Sequence, residues 1–239
     1  MSESKYNLSN AKFGGGFAEG TQTGGTFNDY STNNTAEQKI ETNNADVKTI
    51  LVLAANPKTT SRLRLDEEVR EIDAGLQRAR KREQFNLQFN LQVRWAVRVR
   101  DVSQALLYFN PQIVHFCGHG GGDDGLALED ETGSVQYVST AALAKLFELF
   151  SQRNQKNPIE CVIMNACYSE VQATAISQHI PYVIGMNKAI GDKAAIEFAV
   201  GFYSALAAGE SIDFAYKLGC NSIAMAGIPE NLTPILKVK

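Results

Sequence analysis

No apolar run in this chain approaches the ~20 residues that a membrane-spanning helix requires, so nothing in it reads as a membrane segment. Its start, MSESK, lacks the apolar core of a signal peptide. A basic excess is missing too: 23 Lys and Arg stand against 26 Asp and Glu, a net charge of -3. That balance gives no electrostatic case for nucleic acid or for an anionic membrane. The one basic cluster, residues 78–82, falls where a helix is expected to end, and the helix dipole favours cations there. No Gly-x-x-x-x-Gly-Lys pattern follows the first apolar run, which excludes a nucleotide P-loop. Cysteine is scarce, with four residues. Cys117, Cys161 and Cys167 lie in or at the ends of apolar runs, and Cys220 lies in a late helical stretch. This is the pattern of reduced thiols in a cytoplasm, not of a disulfide framework.

Residues 1–46 are poor in aliphatic side chains, so they can bury little surface to offset chain entropy. Glycines recur at 14, 15, 16, 20, 24 and 25, and a polar stretch, 28–35, follows. The expectation is a flexible Gly/Asn-rich segment. Phe13, Phe17, Phe27 and Tyr30, spaced among Gly, Asn and Thr, also suit a recruitment segment that orders on an upstream partner or self-assembles.

From Val47 onward the pattern becomes regular, and residues 47–239 are expected to form one domain. Residues 47–55 are a near-continuous apolar run, as in a strand buried on both faces, and they stop at Asn56 and Pro57. Leu65, Val69, Ile72 and Leu76 recur at helical spacing, predicting a helix that continues to Arg82. Residues 85–93 alternate apolar and polar, predicting a second strand extended into 95–97. A short helix is expected over 102–109, a third strand over 113–117, and a hairpin from 126–128 and 135–138. Ser139 is a good N-cap for a helix over 140–150. Strands at 161–164 and 182–185 and helices at 193–208 and 212–225 complete the series. This alternation, with apolar central strands, predicts a three-layer α/β/α fold around a mostly parallel sheet.

Two apolar runs break at residues able to do chemistry. Residues 113–120 (IVHFCGHG) end in His119 and Gly120, and residues 161–169 (CVIMNACYS) run into Cys167. In an open parallel sheet, ligands collect at the carboxyl ends of strands, so both residues are expected on one edge. A thiol beside an imidazole is a nucleophile with its base, and a helix start after Cys167 would lower its pKa. The N–H groups of Gly120 and Cys167 are candidates for an oxyanion hole. His115, inside its strand, reads as a buried supporting histidine. His115, Cys117 and His119 alternate along one strand and supply the spread ligands of a zinc site poorly; no metal or other cofactor is expected. Asp123 and Asp124 read as turn formers, with a basic substrate residue as their alternative partner. Arg62, after the first strand, is a candidate for the substrate cleft.

His119 followed 48 positions later by Cys167 is similar to the caspase-type pair. Asn56 and Pro57, 114–120 (VHFCGHG), 126–129 (LALE), 165–169 (NACYS), 183–186 (VIGM) and 198–203 (FAVGFY) together resemble a CHAT domain, a caspase-like family common in bacteria. The resemblance covers roughly residues 47–227. It implies a caspase-hemoglobinase fold and a cysteine endopeptidase of the regulated signalling or defence type. His119 is then the general base, Cys167 the nucleophile and a protein or peptide the substrate. The position two before the nucleophile lines the S1 pocket in related peptidases; here it is Asn165. Its neutral amide implies weak charge selection at the P1 residue. Two alternatives stay open: a catalytically silent module acting in an assembly, and a small-molecule hydrolase or acyltransferase using Cys167. The loop 152–157 is exposed and basic enough to be an autoprocessing site.

Overall fold

A computed structural model of the chain describes residues 46–80, 87–153 and 156–239. The N-terminal segment, the end of the first helix at Arg82, the start of the second strand at Phe85 and the middle of the 152–157 loop lie outside the described residues.

The chain alternates as its apolar pattern requires. β1 (Asp46–Ala54) leads through α1 (Leu65–Arg80) to β2 (Leu87–Arg94), and α2 (Val99–Phe109) leads to β3 (Ile113–Cys117). A hairpin of β4 (Leu126–Glu129) and β5 (Val135–Val138) precedes α3 (Thr140–Arg153) and β6 (Cys161–Asn165). Then come α4 (Glu170–Ile176), β7 (Tyr182–Met186), α5 (Asp192–Ala207), α6 (Ile212–Met225) and β8 (Pro234–Val238). The main sheet runs β2-β1-β3-β6-β7-β8, parallel throughout except for β8, which pairs antiparallel with β7.

Period-two alternation divides the core into two layers. Ile50, Val52 and Ala54 face α1, α5 and α6, where Phe198, Phe202 and Tyr203 are fully buried. Leu51, Leu53 and Ala55 face α2, α3 and α4. β3 and β6 are buried at every position, which is why they read as apolar runs interrupted only by His115 and closed by Asn165.

Two boundaries differ from expectation. Residues 95–97 do not extend β2: the chain turns at Ala96 (φ 52°). The following helix starts earlier, at Val99, because the Asp101 carboxylate accepts from the Arg98 N–H (3.0 Å) and from its guanidinium. β8 is an addition; its opening Pro234, which cannot donate to a ladder, suits an edge strand.

α5 and α6 meet at glycines. A Cβ on Gly201 would lie 2.3 Å from Ser222 Oγ and 2.8 Å from Gly219 Cα. Gly201→Ala is therefore expected to destabilise the protein by about 1–3 kcal/mol, the cost typical of overpacking. Urea denaturation checks this, and an unchanged midpoint would mean that the two helices separate freely.

Candidate active site

Strand register assembles the site. Cys117 pairs with Asn165, the last residues of β3 and β6, so the two strands end level with each other. The residues that follow, Gly118 to Gly120 and Ala166 to Cys167, emerge on the same edge. Strand order reverses direction between β1 and β3, and the loop after β1 supplies Ser61 and Leu63 to this edge. His119 and Cys167 line one cavity of about 180 Å³ together with Glu68, Asn165, Ile190 and Asp192. A larger groove of about 470 Å³ lies between α2, the hairpin and α3. It contains neither thiol nor imidazole, so the chemistry selects the smaller cavity.

His119 is held by backbone: its Nε2 lies 2.7 Å from the Ser61 carbonyl oxygen. A carbonyl only accepts, so Nε2 carries the proton and Nδ1 is left with a free lone pair. Cys167 is partly exposed and its thiol donates to the Ile190 carbonyl at 3.6 Å. The thiol does not open a helix directly; two residues separate it from α4, and one of them, Tyr168, takes a left-handed conformation (φ 55°).

Gly120 sits in an antiparallel bridge whose hydrogen bonds belong to its neighbours. Gly121 N–H donates to Gly125 O (2.9 Å) and Ala127 N–H to His119 O (3.1 Å). Among the described hydrogen bonds, the N–H groups of Gly120 and Cys167 donate to none. The absence of a side chain at Gly120 serves a different contact from the one expected. What approaches its Cα is the Cys167 carbonyl, 2.1 Å from where a Cβ would be. Behind it, Gln172 Nε2 bonds Gly122 O (2.7 Å) and fixes the loop.

Beneath the cavity lies a buried polar chain, of which the sequence pointed to His115 and Asn165 but not to Glu68 or Tyr203. His115 is fully buried, with Tyr203 Oη 3.0 Å from Nδ1 and Glu68 Oε1 2.8 Å from Nε2. Asn165 Nδ2 donates to the same Glu68 oxygen (2.7 Å) and to Ala195 O (3.0 Å). Both amide protons are thus spent, and Asn165 Oδ1 is buried without a partner. Burial, reinforced by nearby Cys161 and Glu68, pushes the Tyr203 phenol well above its ordinary pKa. Burial likewise raises the thiols of Cys117 and Cys161.

The remaining candidates lie outside this cavity. Arg62 lines a neighbouring depression with Trp95 and Asn56, although Ser61 and Leu63 on either side of it line the site. Asp123 and Asp124 are exposed in a single 3-10 turn, Gly122–Asp124. Ser61 and Glu68 are among the participants that had no expectation attached. Ser61 contributes a backbone carbonyl, which has no side-chain signal. Glu68 did carry one: it lies three residues after Leu65 and four before Ile72, a carboxylate inside the apolar stripe of α1.

A mostly parallel sheet between two helical layers, with thiol and imidazole at its carboxyl edge, defines a caspase-like fold. The chain belongs to the CHAT domain family, whose pattern it matches over residues 26–217. It is 26% identical over 185 residues to a protein of Gillisia limnaea described as a probable protease, covering 77% of this chain and 31% of that one. It is 24% identical over 197 residues to a Roc-COR-CHAT protease from an unknown prokaryotic organism, covering 82% of this chain and 18% of that one. The chain thus spans under a third of the length of either relative. In structure it resembles a secreted C11 cysteine protease of Bacteroides thetaiotaomicron, solved with an irreversible peptide inhibitor. The TM-score is 0.55 at 17% identity, over 80% of this chain and 65% of that one. It also resembles the Arg-specific cysteine proteinase gingipain R, with a TM-score of 0.52 at 9% identity, over 80% of this chain and 44% of that one. At these identities the likeness is one of fold. No helix among the described residues is long and apolar enough to cross a membrane.

Proposed function

We propose that this chain is a cysteine endopeptidase that cleaves a protein substrate through Cys167 and His119. One observation carries the reading: the thiol and the imidazole line the same cavity, with His119 Nε2 anchored on Ser61 O so that Nδ1 remains as the base. In the reaction, Nδ1 takes the Cys167 proton as Sγ bonds to the scissile carbonyl carbon. The carbonyl oxygen becomes an oxyanion, and the N–H groups of Gly120 and Cys167 donate to it. The tetrahedral species collapses with C–N cleavage, and the imidazolium gives its proton to the leaving amine. Water then attacks the thioester, His119 takes the water proton, the C–S bond breaks, and the thiol is restored.

Residues 1–46 would recruit or assemble the domain on an upstream partner, placing its cleavage in a regulated signalling or defence response. Four unpaired thiols suit a reducing, cytoplasmic setting. One observation favours a silent module instead: the resting thiol bonds Ile190 O and not the imidazole. Such bonds commonly tighten only in the substrate complex, so we retain the enzyme.

Mass spectrometry of the full chain after treatment with a mixture of peptidyl chloromethyl ketones tests this. Labelling is expected at Cys167 alone and to be lost in His119→Ala. Cys117 and Cys161, buried and held protonated, should stay unmodified until the protein is unfolded. If Cys167 reacts no faster than Cys220, the enzymatic reading is wrong.

A further inference from the structure

The cavity beside Cys167 is lined by Glu68, Asp192, Asn165 and the aliphatic walls Leu63, Leu65, Ile190 and Ala195, with no Lys or Arg among its lining residues. From this we infer that it is an S1 pocket selecting a basic P1 side chain, arginine or lysine, and that Glu68 at its base is the residue that selects. The inference rests on the peptidase reading above and names its substrate class.

Hydrogen-bond accounting gives Glu68 this role. Tyr203 is fully buried, and a buried hydroxyl proton without an acceptor is costly. Its neighbour among the described bonds is His115 Nδ1, so the phenol donates there. His115 is then the neutral tautomer with its proton on Nε2, directed at Glu68 Oε1. Asn165 supplies the second donor to that oxygen, also neutral. Glu68 therefore sits almost wholly inside the protein with two neutral donors and no full positive charge against it. Its Oε2 receives no hydrogen bond among the described residues. A buried carboxylate in that condition is unfavourable unless a cation completes it.

Asn165 makes the same demand independently. Flipping its amide would break two bonds, so Oδ1 must be the unpartnered atom, a buried acceptor on a residue that lines the cavity. Two unmet acceptors below apolar walls match a side chain with an aliphatic stem and a head that only donates. Arginine and lysine are those side chains. An acidic P1 would meet repulsion, and an apolar one would leave both acceptors bare. Asp192 adds less, because Arg64 already holds it with Nε 2.6 Å from Oδ2. Reading Asn165 alone gave a pocket indifferent to charge; Glu68, brought in from α1, reverses that expectation.

The test uses the full chain and chloromethyl ketones that differ only at P1: arginine, lysine, norleucine or aspartate. Arg and Lys probes should label Cys167 at least about tenfold faster than norleucine, with aspartate slowest. Glu68→Gln keeps the shape and the Oε1 acceptor, so its Arg-to-norleucine ratio should fall towards unity whatever its absolute rates. Equilibrium binding of peptide amides with Arg or norleucine at the same position, to the Cys167→Ala protein, reads the pocket without the chemistry. Tighter Arg binding with no labelling by any probe would sink the peptidase and leave the pocket standing. Labelling in which norleucine matches arginine, or a ratio unmoved by Glu68→Gln, overturns the pocket.

Discussion

Gly120→Ala should slow labelling of Cys167 by at least about 10²-fold while the protein stays folded, because it displaces the nucleophile itself. An added Cβ would stand 2.1 Å from the Cys167 carbonyl oxygen, 3.1 Å from its carbon and 3.3 Å from Ala166 Cβ. Two of these are backbone atoms with no rotamer to escape by. Nor is Gly120 free to retreat, since the bonds Gly121–Gly125 and His119–Ala127 pin it on both sides. The Cys167 peptide must therefore give, by an ångström or more, and a misplacement of that size is what costs two orders of magnitude. The stability penalty should be modest, about 1–3 kcal/mol, as for other overpacked sites. Gly227→Ala separates sterics from backbone strain: it has φ +72° but nothing within 4 Å of the new Cβ. It should cost some stability and leave labelling unchanged. Wild-type labelling in Gly120→Ala would show that the contact does not position the thiol.

The features legible in the sequence are those written in side-chain period or in an abrupt change of residue type. β3 and β6 are buried on both faces, so their runs are almost wholly apolar and their ends conspicuous; His119 and Cys167 stand out there. His115, read as a buried supporting residue, is fully buried. What escaped is what tertiary contact decides. β8 is short, begins with proline and lies at an edge, so its pattern carries little strand signal. The Ser61 carbonyl exists at every residue and is distinguished only by where the loop after β1 runs. Glu68 lies between. A carboxylate at a core position of a helix is an anomaly that the sequence shows, but its partners lie 47 and 97 residues away.

That anomaly leads to the largest stability effect. Glu68→Ala removes the acceptor for a fully buried imidazole and a buried amide at once. Both donors are neutral, so the cost is that of two orphaned donors at about 1–3 kcal/mol each, about 2–6 kcal/mol together. The adjoining cavity admits water, which can resolvate Asn165 Nδ2 more readily than the deeper His115, so the lower half of that range is expected. Against a total stability of about 5–15 kcal/mol, this is a large share, equivalent to a Tm loss of roughly 4–16 °C. Glu68→Gln retains the acceptor and should lose less than half as much. A double-mutant cycle with His115→Phe decides whether the energy belongs to the pair. Once His115 no longer needs an acceptor, Glu68→Ala should cost less, with a coupling of at least about 1 kcal/mol. Strict additivity would mean that Glu68 is held for the pocket alone, and that the fold does not depend on its bond to His115.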